Sequence, residues 1–428
     1  MTKRQITYSL FAQTILLLLL YLAVYLLGAV KFLGDDPLAL SLPYQQVNGL
    51  ANVLLNLVIL TGLIASGMVT LNSGNDATEN MPLTYVFYGW TALLIVSVLL
   101  GVLDLLAGRF MFELPVWALV VMLAFLIGFV VLIGRDVTTW TSVPIVWTAG
   151  MTITILAFAL GLFSSGDFVR DARLATVALG LRFNVGYILS ALALIFWLMR
   201  RFSNVREAWA ESGLYNLAGM LALAGVLVTL GSLHILSDDA LVRTIGNISA
   251  IFTPIVYLIF AAHSYRALSD RNSSNTLAAH WVALTVILWV LGMAVMGALM
   301  SIADVNQWVQ GTRLTDLRLS LITFGVIAVI LGMINQSVSD FREESRRITG
   351  LMPFWMVAFG IIGGGVALFG AGIVQVYLER ILTVGYLETQ TYMIPLYVFW
   401  VLGLMIVSFG LIFYALGFWA RRPVNIGE

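Results

Sequence analysis

Residues 6–30, ITYSLFAQTILLLLLYLAVYLLGAV, contain no charged side chain. A helix rises 1.5 Å per residue, so about 20 such residues cross the ~30 Å of bilayer hydrocarbon. The run exceeds the roughly 7–15 residue core of a cleaved signal peptide, and it reads as a retained first membrane helix. Working outward from it, apolar runs of similar length recur, broken by charges, prolines or Asn/Gly clusters, at roughly 47–71, 83–107, 115–134, 142–164, 174–200, 213–236, 242–265, 278–302, 314–336, 352–378 and 393–419. Twelve runs joined by short loops predict an all-α polytopic bundle. They also predict one transmembrane domain over residues 1–428, with sequence neighbours packed antiparallel.

Composition agrees with this reading. The chain has 428 residues, 61% hydrophobic and 10% charged, whereas soluble domains are roughly 25% charged. Twenty-two basic residues balance 22 acidic ones, so no electrostatic surplus points to nucleic acid as a partner. There is no cysteine, which removes disulfides and thiolate metal sites. The histidines are His234, His263 and His280. No nucleotide-binding motif or catalytic triad is visible. The glycine cluster Gly363-Gly364-Gly365 predicts close helix approach inside the eleventh span.

Lys and Arg flanking a span are retained on the cytoplasmic side. Thirteen lie on the side of the N-terminus, from Lys3 and Arg4 to Arg421 and Arg422, against seven opposite: Lys31, Arg109, Arg170, Arg173, Arg243, Arg313 and Arg380. Both termini are therefore expected in the cytoplasm. The most charged loop, DFREESRR at 340–347, reads as a solvated cytoplasmic turn.

Arg182 and Arg318 fall within or at the edge of expected spans. An intramembrane guanidinium costs at least ~2.5–3.5 kcal/mol unless it snorkels or is paired. Asp316, Asp104, Asp167, Asp238 and Asp239 lie toward the same side, and Arg182, Asp316 and Arg318 are a candidate buried ion-pair cluster. Asp104 and Glu113 bracket the end of the third span, where they could serve as a proton or ion site or pair with Arg109. His263 and His280 flank one cytoplasmic loop, and two interfacial histidines are expected there rather than a metal site.

Residues 101–117, GVLDLLAGRFMFELPVW, with Trp147 to Phe163 resemble the third to fifth helices of haem-copper oxidase catalytic subunits, specifically the C-family terminal oxidases and nitric oxide reductases. Phe354-Trp355 through Gln375, Glu379-Arg380 and Gly385 to Glu388, on to Trp419, resemble that family's last two helices. The resemblance implies a subunit I-like bundle and the family's six histidines, which hold two haems and a neighbouring metal. At the matching positions this chain has Asp316 and Arg318 in the tenth helix, Phe183 in the sixth, Gly231 and Ser232 in the seventh, and Gln46 in the second. Every one of those ligand positions reads as vacated, and three histidines cannot replace six. His234 falls two positions beyond the pair in the seventh helix.

The expectation is a cofactor-free, non-catalytic relative without metal ligands, serving as a structural or assembly subunit. Its partners would be other membrane subunits, a cytochrome c-type or other redox subunit among them, in a prokaryotic cytoplasmic membrane. The vacated interior requires repacking, lipid or quinone, since cavities cost near 24 cal/mol per Å³. Two other classes compete: an oxidoreductase with unusual or partner-supplied haem ligation, and a secondary transporter or channel.

Overall fold

Hydropathy dictates the architecture, and in the computed structural model twelve helices are long and apolar enough to cross a membrane. The structure describes all residues except 34–42, 72–79, 108–112, 164, 204–210, 237–238, 272–275, 342–349 and 421–428. In chain order the helices are α1 Lys3–Leu33, α2 Tyr44–Thr70, α3 Met81–Val102, α4 Val116–Arg135, α5 Ser142–Leu160 and α6 Phe168–Phe202. They continue as α7 Glu211–Gly231, α8 Ala240–Ser269, α9 Leu277–Ser301, α10 Arg313–Val338, α11 Leu351–Ile381 and α12 Tyr386–Trp419. The described residues contain no strand; Ser203 and Arg271 form an isolated bridge. The chain is thus an integral membrane protein of the all-α class expected from its sequence.

Polar side chains set several helix starts. Thr2 and Gln5 close a reciprocal capping box on α1, and Asn80, Asp167 and Asp239 accept backbone N–H groups at the starts of α3, α6 and α8. Several ends differ from the hydropathy reading, two of them with a plain local cause. Helix α3 stops at Val102 because Asp104 takes a left-handed backbone, φ 57°. Helix α12 begins at Tyr386, two turns earlier than its apolar run, because Glu388, Thr389 and Gln390 are helical despite their polarity.

Burial sorts the helices into centre and rim. About nine-tenths of the apolar window of α2 is buried, and α6 and α10 are also mostly enclosed, whereas α3 and α8 bury a third of theirs and leave the rest for lipid. These three central helices carry the expected ligand positions Gln46, Phe183, Asp316 and Arg318. They are joined by packing and by polar contacts: Gly62 of α2 faces Ile330 of α10, and Tyr187 of α6 donates to Asn56 Oδ1 of α2 at 2.9 Å. Of the glycine cluster in α11, Gly364 lies against Gly403 of α12, while Gly363 faces open space.

Candidate functional site

The tenth helix presents its charges to two opposite sides. Residues two apart on a helix are separated by about 200°, so Asp316 and Arg318 cannot share a face. Asp316 instead meets Arg313 one turn earlier, with Nη1 donating to Oδ2 at 2.8 Å. The cluster expected from Arg182, Asp316 and Arg318 is corrected accordingly, because Asp316 serves Arg313 and not Arg318.

Arg313 itself, read from sequence as a basic residue flanking the tenth span, gathers contacts from several helices. Its guanidinium lies 4.1 Å from the Phe32 ring centroid and 5.2 Å from that of Tyr397, and Nε donates to Tyr397 Oη at 3.1 Å. The Arg313 backbone N–H donates to Gln375 Oε1, and Tyr397 in turn donates to Gln390. Ends of α1, α10, α11 and α12 are thereby tied together. The partners stand far apart in sequence, and no local spacing announces them.

On the other side, Arg318 Nη2 donates to Asn184 Oδ1 at 2.8 Å and lies 3.9 Å from Met293 Sδ. Asn184 Nδ2 donates to Thr229 Oγ1 at 3.1 Å, and the Thr229 hydroxyl donates to the Gly225 carbonyl. A neutral polar relay therefore joins α10, α6 and α7. Asn184 is presented by a π-helical turn, Leu181–Gly186, whose wider winding interrupts α6; such turns recur at functional positions.

The same turn carries Arg182 and Phe183, both buried. Arg182 lies between two rings, 4.6 Å from the Phe158 centroid and 4.7 Å from that of Phe183, an arrangement that stabilises a guanidinium in an apolar setting. Phe183 also meets Tyr187 edge-on at 5.3 Å. At the end of α7, Ser232 donates to the Thr229 carbonyl at 2.7 Å. Gly231 packs directly on Gly246 of α8: a Cβ there would stand 2.9 Å from Gly246 Cα. Gln46 donates to the Val102 carbonyl at 3.0 Å, joining α2 to the end of α3.

The pair Asp104 and Glu113 is divided by its surroundings. Asp104 is exposed, whereas Glu113 is buried and lines a cavity of about 20 Å³ with Val53, Asn56, Met122 and Phe158. Arg109 and Asp238 lie outside the described residues, as does the side chain of His234. His280 meets Phe354 edge-on at 5.3 Å. Among the described residues no group of three or more His, Asp or Glu could hold a metal ion.

The six matched positions do not fit a haem or a copper ion. None offers an imidazole, Gly231 has no room for any side chain, Phe183 is a ring packed on Arg182 and Tyr187, and Asp316, Arg318, Ser232 and Gln46 are committed to Arg313, Asn184, Thr229 and Val102.

No family model matches the chain. Twelve spans packed around α2, α6 and α10 define a polytopic helical membrane protein, and its sequence is distantly nitric oxide reductase-like. It is similar to a nitric oxide reductase subunit of Stutzerimonas stutzeri. The two are 23% identical over 399 residues, which cover 85% of this chain and 83% of that protein.

Proposed function

We propose that this chain is a non-catalytic, cofactor-free homologue of the haem-copper oxidase catalytic subunits, a single membrane domain that acts as a structural or assembly subunit of a respiratory or other energy-transducing complex. One observation carries the reading: the positions that match haem and copper ligands hold groups already bonded or packed to their neighbours, most plainly Gly231 against Gly246. Imidazole is the side chain such centres require, and a helix contact as close as this one excludes it.

The Stutzerimonas relative is itself one subunit of a reductase, which supports partner chains in the membrane. A cytochrome c-type or other redox subunit fits that role, with repacked side chains, lipid or quinone in the space that haem occupies in the family. The surplus of basic residues on the side of the N-terminus supports both termini lying in the cytoplasm of a prokaryotic cell.

Purification from the native membrane tests the reading. The expected outcome is co-purification with other chains, and an isolated subunit with no Soret absorption and no stoichiometric iron or copper. A stoichiometric Soret band in the isolated subunit sinks it.

A further inference from the structure

Several helices share one layer at their outer ends. Phe32 of α1 meets the rings of Tyr44 and Tyr397 at 5.1 and 5.4 Å, Arg313 donates to Tyr397, and the Arg313 backbone N–H donates to Gln375. Helix α1 ends at Leu33, α2 begins at Tyr44 and α10 begins at Arg313, so all three stop at this layer. From Tyr397 to Trp419, where α12 ends, the helix rises about 33 Å, close to the thickness of the hydrocarbon. The layer therefore marks the outer edge of the acyl chains.

Helices α11 and α12 continue past it as a hairpin. The start of α12 at Tyr386 stands about 16 Å beyond Tyr397, and α11 runs on from Gln375 to Ile381. Headgroups occupy about 5–8 Å on each side of the bilayer. Tyr377 and Tyr392 fall at that depth, where tyrosine rings suit the interface. Leu382, Tyr386 and Leu387 stand further out, 49%, 56% and 81% exposed, with Ile381 58% exposed beside them. Gly385 in the same turn faces open space. Lipid does not reach that far, and an apolar cluster left in water marks an interaction surface.

Charge indicates what covers it. The hairpin and the short helix Ala303–Val309, which packs against the last turn of α11, carry Glu379, Glu388 and Asp304 against Arg380. A second copy of this chain would bring the same sign to a twofold contact, and the chain's own residues 34–42 bring Asp35 and Asp36. A basic partner is favoured instead, because complementary fields steer docking and like charges oppose it.

We propose that the outer α11–α12 hairpin docks a basic extramembrane domain of a partner subunit. Leu382, Tyr386 and Leu387 form the apolar centre of the contact, and Glu379 and Glu388 lie at its rim. The proposal rests on the reading of this chain as a subunit of a larger complex.

The test uses the full chain in its native membrane, with a photoreactive amino acid placed at position 387 or, for comparison, at the lipid-facing Ile255 of α8. Light is expected to join position 387 to an extramembrane segment of another chain, and mass spectrometry of the linked peptide to show that segment to be basic. Position 255 gives no adduct with it. Leu387→Ser lowers the retained partner about tenfold, the scale of one buried leucine. Glu388→Lys lowers it most at low ionic strength, where charge is least screened. An adduct with a second copy of this chain, with an acidic segment or with lipid overturns the proposal, as does full partner retention in both variants. Companion chains that co-purify without an adduct at position 387 sink this docking site and leave the subunit reading standing, whereas a chain purified with no companion sinks both.

Discussion

Arg313 Nη1 donates to Asp316 Oδ2 across one helical turn, and the same guanidinium rests on the Phe32 ring. The pair anchors the start of α10, but its two members contribute unequally. Arg313 is mostly enclosed, while about half of the Asp316 side chain is exposed.

That asymmetry predicts a ranking. Arg313→Gln removes a charged hydrogen bond and a cation–ring contact and costs about 2 kcal/mol. Asp316→Asn, acting on a solvent-screened partner, costs less than about 1 kcal/mol. Thermal unfolding of the two single variants and the double variant checks the order, and equal losses would contradict it.

Asn184 is the hinge of the polar relay. Asn184→Ala removes the acceptor of Arg318 and the donor to Thr229 together, with an expected loss of about 2–4 kcal/mol. Asn184→Asp places a carboxylate against Arg318 and retains more stability than the alanine variant. Chemical or thermal unfolding in the same detergent compares them.

Helix contact at Gly231 admits no extra atoms. Gly231→Ala drives a methyl group toward Gly246 Cα and costs about 1–3 kcal/mol by overpacking. Gly231→His is worse, so reinstating histidines at 183, 231, 316 and 318 yields no Soret absorption on expression with excess haem. A six-coordinate haem spectrum from that variant would contradict the packing argument.

Tyr187 joins α6 to α2 through Asn56. Tyr187→Phe leaves the Asn56 amide oxygen without its donor and lowers stability by about 1–2 kcal/mol, with no change in helix content. Circular dichroism and the unfolding midpoint separate the two effects.

The membrane helices were legible because lipid imposes a length and an apolarity that a single chain displays openly. Helix ends were less so. The start of α12 is polar yet helical, and the residue that ends α3 does so through its backbone conformation. Among the singled-out charges, Arg182 lies between two rings and Arg318 on Asn184, while Asp316 meets Arg313 rather than Arg318. Spacing along one helix decides that partner, since three residues share a face where two do not. The tie from Arg313 to Phe32, Gln375 and Tyr397 escaped notice because it joins four separated stretches of chain.

Helix α2 has a consequence for biosynthesis. It carries Asn52, Asn56, Thr61 and Ser66 on surfaces that the finished molecule encloses, and one of its main neighbours, α10, ends at Val338. At ~5–20 residues per second a ribosome needs roughly 15–60 s to make the intervening chain. During that interval only α1 and the next helices shield those amides and hydroxyls from the acyl chains. The nascent protein therefore spends its synthesis with its future centre facing lipid, and a translocon or a waiting partner has longest to act on α2.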